Sequence, residues 1–200
     1  MRLPACLLLS TLCLPATAAE SVYTKSDFDK DCKVVEEDEY GGVTALCQGY
    51  GGYQIHFAEG DLRQSVFYGF VGTWHEAGAF ETFGPFNHVA PTVEWRIENG
   101  RPFATIRRWF VSAGEDAKGK PKPDIQVLVI SRVAQKADGE GCVVGYVEAT
   151  ANPNANEIAR QVADNDARDF ACRYAEAQWR GKRSSEDVTA SSQFEERPPE

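Results

Sequence analysis

Several features that would name a function are missing from this chain. After residue 19 no apolar run approaches the roughly 20 residues that a helical membrane span needs. Positive charge is in short supply: 21 Lys and Arg stand against 30 Asp and Glu, a formal net charge of −9. Such an acidic chain is a poor partner for nucleic acid or anionic lipid. There is no G-x-S-x-G nucleophile elbow. No two cysteines have C-x-x-C spacing, which argues against a zinc–thiolate site. The glycine-rich run Gln48-Gly49-Tyr50-Gly51-Gly52-Tyr53 fits neither G-x-G-x-x-G nor a P-loop, and a strand-like alternation follows it where a helix should open. It reads instead as a bend that needs positive φ. No internal repeat is visible.

What is present begins with an export signal. Arg2 supplies a positive start, Leu3 to Leu14 a short apolar run, and Ala16-Thr17-Ala18 the small residues of a cleavage site, so residues 1–19 read as a signal peptide. A lipoprotein signal at Cys13 is the alternative, but Ser10-Thr11-Leu12 puts no small residue directly before it. Cleavage leaves about 180 residues, enough for one domain with its own core. Losing Arg2 takes the net charge from −9 to −10. The expected product is an exported protein, with no cofactor implied.

Four cysteines remain after cleavage, and disulfides are the default in an exported protein. Of the three possible pairings, the local one is preferred. Cys32–Cys47 closes the hairpin Cys32 to Val35 and Val43 to Cys47, and Cys142–Cys172 brackets a strand and a helix. Loop-closure entropy assigns each bond roughly 3–4 kcal/mol.

Alternation predicts further strands over 53–58, 62–70, 93–97, 103–111, 125–133 and 142–149. Asn99-Gly100 suits a type I′ turn. Ile125 to Val133 is apolar on both faces, which places it centrally with cover on both sides. A helix over 154–172 follows, capped by Asn152 or by Asn154 with Glu157. Its apolar face, Ala155, Ile158, Ala159, Val162 and Ala163, is interrupted at Asp166. The fold class is α+β: an antiparallel meander of about six to eight strands, a curled sheet or open barrel, with the C-terminal helix packed on it. Residues 20–180 form the domain. Residues 181–200 read as a disordered acidic tail, because Phe194 is their only aromatic residue.

Cys47-x-Gly49-x-Gly51-Gly52-Tyr53, Glu94-Trp95-Arg96, Cys142 with Gly145, and Pro153-Asn154-Ala155-Asn156 with Ala159-Arg160 resemble a group of small exported proteobacterial proteins without an assigned activity. The resemblance covers roughly residues 23–172. It implies a periplasmic location and paired cysteines, and no chemistry.

Candidate sites centre on the irregular segment 71–91. His75, Glu76 and His88, with Glu81, are the candidate metal ligands, being imidazoles and carboxylates suited to a divalent ion. The spacing is not H-E-x-x-H, since Ala79 stands four after His75. Trp74, Phe80, Phe83 and Phe86 are candidate binding aromatics, or else core cover. Arg96, joined by Arg107 or Arg108, is a candidate anion contact; salt bridges to Glu94 or Glu148 are the plainer reading. Two functions follow: a non-enzymatic binding or interaction module, whose partner is another periplasmic or envelope protein, and a hydrolase with a metal or carboxylate site built from the 74–88 segment.

Overall fold

The computed structural model describes residues 19–76 and 78–191, apart from the side chains of Trp74 and Glu76. The leader, Cys13 and the last nine residues lie outside that range. In chain order the elements are β1 (Glu20–Lys25), α1 (Phe28–Asp31), β2 (Cys32–Glu37), β3 (Val43–Gln48), β4 (Gln54–Gly60), β5 (Arg63–Tyr68), α2 (Thr73–Glu76), β6 (Thr82–Phe83), β7 (Asn87–Glu98), β8 (Arg101–Val111), β9 (Ile125–Arg132), β10 (Cys142–Glu148), α3 (Ala155–Asp166), β11 (Gln178–Arg180) and β12 (Ala190–Ser191).

The fold is mostly antiparallel β with one substantial helix. The strands divide into a four-stranded sheet, β2-β3-β4-β5, and a six-stranded sheet, β1-β7-β8-β9-β10-β11, with β6 and β12 as a separate pair. The sheets are not closed. Among the paired strands of the described residues, β10–β11 alone is parallel, and an isolated parallel bridge joins Gly69 to Ala134. The helix does cover one face, as expected, but the opposite face is covered by a second sheet and not by a curl of the first. Strand β9 shows why. Val127 and Val129 join Ile55, Phe57, Tyr68, Trp95 and Trp109 between the sheets, while Leu128 and Ile130 meet Ala155, Ala159, Val162 and Ala163 of α3. A strand with two apolar faces stabilises the fold only if both are covered, each buried side chain contributing about 1.5–3 kcal/mol.

The local turn chemistry follows the sequence. Asn99 and Gly100 have φ of 51° and 75° and close β7 onto β8. Gly51 and Gly52 are also left-handed, whereas Gly49 is extended and has a different role. A Cβ at Gly49 would stand 2.3 Å from the Tyr53 carbonyl oxygen and 2.8 Å from the buried Trp95 ring. Cys32 faces Cys47 across β2 and β3 and is bonded to it; Cys142 is bonded to Cys172 at a Cα separation of 5.6 Å.

Helix α3 departs from its predicted limits. Asn154 makes no side-chain cap. Asn152 donates to the Glu148 and Lys182 carbonyls and accepts from the Lys182 amide, which fastens the later chain to β10. The helix stops at Asp166, the residue that spoils its apolar face, and Asp166 pairs with Arg180 at 3.2 Å.

A ladder of alternating charge fixes α3 along β7. Glu94, Arg96 and Glu98 share one face of the strand, and Arg160, Asp164 and Arg168 stand one turn apart on or just past the helix. The pairs are Glu94–Arg160 at 2.6 Å, Arg96–Asp164 at 2.7 Å and Glu98–Arg168 at 3.1 Å. Four helical residues rise about 6 Å and two strand residues about 6.6 Å, so the two spacings match. A slip of one turn would oppose like charges. Ser21 bridges the first two pairs, donating to Glu94 and accepting from Arg96, both at 2.5 Å.

Residues 181–191, expected to belong to a disordered tail, pack onto the body of the domain. Val188 is 3 % exposed within the inter-sheet core, and β12 pairs with β6. Glu148 anchors this strap: buried on β10, it accepts from the Ser184 amide at 2.7 Å, from the Ser184 hydroxyl and from Thr150. Composition could not reveal this, because the order depends on a carboxylate elsewhere in the chain and a single valine.

Candidate functional site

The segment before β7 places its aromatics in different settings. Phe83 is core, packed edge-on against Trp109 and Tyr146. Phe80 is half-buried against the outer face of the four-stranded sheet, beside His56 and His75. Phe86 stays 49 % exposed. Its backbone carbonyl accepts from the Ser112 amide at 2.8 Å, which holds it at the open end of the β7–β8 ladder. Arg63, at the start of β5, lays its guanidinium over the Phe86 ring at 4.9 Å. Arg63 is itself fixed by the Gly84 carbonyl at 2.7 Å and by the Asp61 carboxylate.

These contacts border a cavity of about 510 Å³. Pro85, Phe86, Ile125 and Val188 supply its apolar surface, and Arg63 and Lys122 its cations. Lys122 arrives on the loop 112–124, whose strands are tied by the Lys122 amide on the Gly114 carbonyl and by turns about Asp116. Ser185 and Asp187 of the strap add a polar wall. The volume lies within the roughly 300–1,000 Å³ of small-molecule sites, which are commonly apolar with a few placed polar groups. Sequence patterning pointed to Phe86 but missed Arg63, Lys122 and Val188. These come from three separate parts of the chain, and no local signal marks them.

A second cavity of about 330 Å³ adjoins the first through Phe86 and Ser112. Leu62 stands at its edge, 62 % exposed, in a hairpin turn where Asp61 and Leu62 both have positive φ. Ser112, His88 and Asp124 all line this cavity, the residue types of a nucleophile–base–carboxylate set. Their geometry does not make one. Ser112 Oγ accepts from the Gly114 amide at 3.2 Å, His88 stacks on Phe110 at 4.9 Å, and among the described residues no hydrogen bond joins any two of the three. A base must lie within hydrogen-bond reach of its nucleophile.

The candidate metal ligands are dispersed. His75 packs on Phe67 at 4.2 Å beyond β5, and His88 lies on β7 against Phe110. Burial pushes the His75 imidazole down to about 4, against a raising contact from the Gly141 backbone. Among the described residues no group of three or more His, Cys, Asp or Glu is gathered as a metal site requires. Glu81 is 5 % exposed and takes the Val143 amide at 2.6 Å, where the β9–β10 register slips. Burial raises its carboxyl to about 8. Glu81 thus closes a bulge and is kept from a ligand role.

The arginines also differ from expectation. Arg96 gives its donors to Asp164, Ser21 and the Ala19 carbonyl, so it offers no exposed cationic spot. Arg108 contacts Gln126 at 2.8 Å. Arg107 points between the sheets, to the Ala90 and Ser26 carbonyls. Neither Glu94 nor Glu148 pairs with Arg96, Arg107 or Arg108: Glu94 turns to Arg160, and Glu148 to the strap.

No protein-family model matches this chain, and neither a curated protein nor a solved structure matches it.

Proposed function

We propose that this chain is an exported, non-catalytic binding module whose cavity beside Phe86 takes a small amphiphile with an apolar body and an anionic head group. The observation that carries the reading is the lining of that cavity: apolar side chains from the segment just before β7, from β9 and from the strap, with Arg63 and Lys122 beside them. Apolar burial supplies affinity, and the cations select the sign of the head group. Two disulfides suit an oxidising compartment. The leader and the resemblance to exported proteobacterial proteins favour the periplasm as that compartment. A hydrolase with a metal or carboxylate site built from 74–88 has less support, because His75 and His88 stand apart and Glu81 is engaged by the Val143 amide.

The test is a titration of mature protein with 8-anilinonaphthalene-1-sulfonate, followed by displacement with decanoate or decylamine. Saturable dye binding is expected. Decanoate displaces the dye at least tenfold more effectively than decylamine, and Phe86→Ala and Lys122→Glu weaken both dye and decanoate. Dye binding that does not saturate, or equal displacement by the two amphiphiles, overturns the proposal.

A further inference from the structure

The four-stranded sheet has a second, outer face away from the inter-sheet core. Cys47, Phe57 and Val66 point into that core. By alternation, Thr44, Leu46, His56, Ala58 and Phe67 lie on the other side. The segment 71–80 covers this face only in part, with His75 packed on Phe67. A cavity of about 200 Å³ remains, and Val35, Leu46, Phe67, Val71 and Phe80 supply its apolar wall. It needs no opening, since Val35 is 54 % exposed. Its histidines oppose no incoming cation by contact: His56 Nε2 is engaged by the Gly69 carbonyl at 3.2 Å, and burial pushes the His75 imidazole down to about 4.

A bulge in β2 shapes the rim. Val34 faces Ala45 and Glu36 faces Thr44, so β2 places one extra residue, Val35, between those pairs. In a regular strand Val35 and Glu36 would point to opposite faces. A bulge re-aims side chains, and here both residues border the outer face. Val35 lines the apolar cavity, and Glu36 lines a neighbouring one of about 320 Å³. The two cavities share Thr44, Ala58 and Phe80. Asp38 and Glu59 join Glu36 on the second, and no Lys or Arg lines either. Asp38 accepts from the Tyr40 and Gly42 amides and Glu59 from Gln64, but among the described residues none of the three carboxylates pairs with a Lys or Arg. Nor are they gathered as a metal site requires. An apolar recess beside carboxylates of one sign suits a larger, organic cation. The recess is comparable with the roughly 150 Å³ that takes a benzene-sized guest.

We infer that this outer groove binds an organic ammonium with a phenyl-sized apolar body, at a site distinct from the one beside Phe86 and of opposite charge preference. The apolar body fills the cavity between Val35 and Phe80. The ammonium stands beside Glu36 and Asp38. Apolar contact supplies the affinity, and the carboxylates select the sign of the charge.

Saturation-transfer NMR on the mature protein with 2-phenylethylamine at neutral pH tests the site, with sodium chloride holding ionic strength constant. A saturable signal is expected in the wild type. Benzylamine competes, whereas 3-phenylpropionate, of similar size and opposite charge, does not. The signal falls about fivefold or more in Phe80→Ala, which removes the shared apolar wall, and in Glu36→Lys, which reverses a charge on an exposed strand. Glu36→Lys keeps wild-type binding of 8-anilinonaphthalene-1-sulfonate, which reports the groove beside Phe86. Absence of a saturable signal in the wild type overturns the inference whatever the variants do. So does equal competition by 3-phenylpropionate, or a signal unchanged in both folded variants.

Discussion

Replacing Glu81 with glutamine isolates one buried proton and should change how stability responds to pH. The Glu81 carboxyl rises from an ordinary 4.5 to about 8 because burial disfavours its charged form; only the Val143 amide opposes this. Tyr146, packed in the same core, is pushed up by its own burial and next by the Glu81 charge. Between those two values the folded protein holds a proton that the unfolded chain releases. Unfolding therefore releases a proton and becomes easier as pH rises. The contribution is complete below pH 4.5 and is lost as pH climbs through 8. At about 1.4 kcal/mol per pH unit, the loss from pH 5 to pH 8 comes to roughly 3 kcal/mol. For a chain of this size that corresponds to about 6–12 °C in Tm. Glu81→Gln keeps an oxygen for the Val143 amide and cannot ionise, so it lacks this slope. His75, held down to about 4 by burial, gives the opposite slope as pH falls below 6.5. Both proteins share that term, and it cancels in their difference. The assay is thermal unfolding of both proteins from pH 5 to pH 8.5 at fixed ionic strength. The difference in Tm, variant minus wild type, should grow with pH by several degrees. Parallel curves, or a difference that grows toward acid, would refute the reasoning.

Two further outcomes follow from the packing. Truncation after Gly181 removes Val188 from the core and both Ser184 donors from Glu148, leaving the buried carboxylate with Thr150 alone of those three donors. Loss of stability of about 2–4 kcal/mol is expected in urea unfolding, together with weaker dye binding in the groove; unchanged stability would show that the strap adds nothing. Gly49→Ala drives a methyl toward the Tyr53 carbonyl and the Trp95 ring, and should cost about 1–3 kcal/mol with a shifted tryptophan emission. Neutral behaviour would mean that β3 relaxes freely at its end.

The candidate site was legible only in part. Phe86 could be named because aromatics in a glycine- and proline-broken segment must either pack or remain exposed. Choosing among Phe80, Phe83 and Phe86 needed the fold, since Phe83 is core and Phe86 half-exposed. The metal grouping of His75, Glu76 and His88 followed sequence proximity. A helical turn and a strand separate the two imidazoles, so nearness in sequence did not become nearness in space. Arg63 and Lys122 carried no mark, because they meet Phe86 only through the closing of a hairpin and a loop.

Local rules set by the sequence alone include the Asn99-Gly100 turn, the two-faced β9, and the Cys32–Cys47 and Cys142–Cys172 pairing. Each depends on φ preference, period or loop length over a short stretch. The tertiary structure decided what covers each face. It resolved the expected curled sheet or open barrel into two stacked, unclosed sheets, matched the charges of α3 to those of β7, and drew the strap onto Glu148. It also left Arg107 buried without an acid. Those outcomes depend on which distant groups arrive beside one another, and no short stretch of chain carries that information.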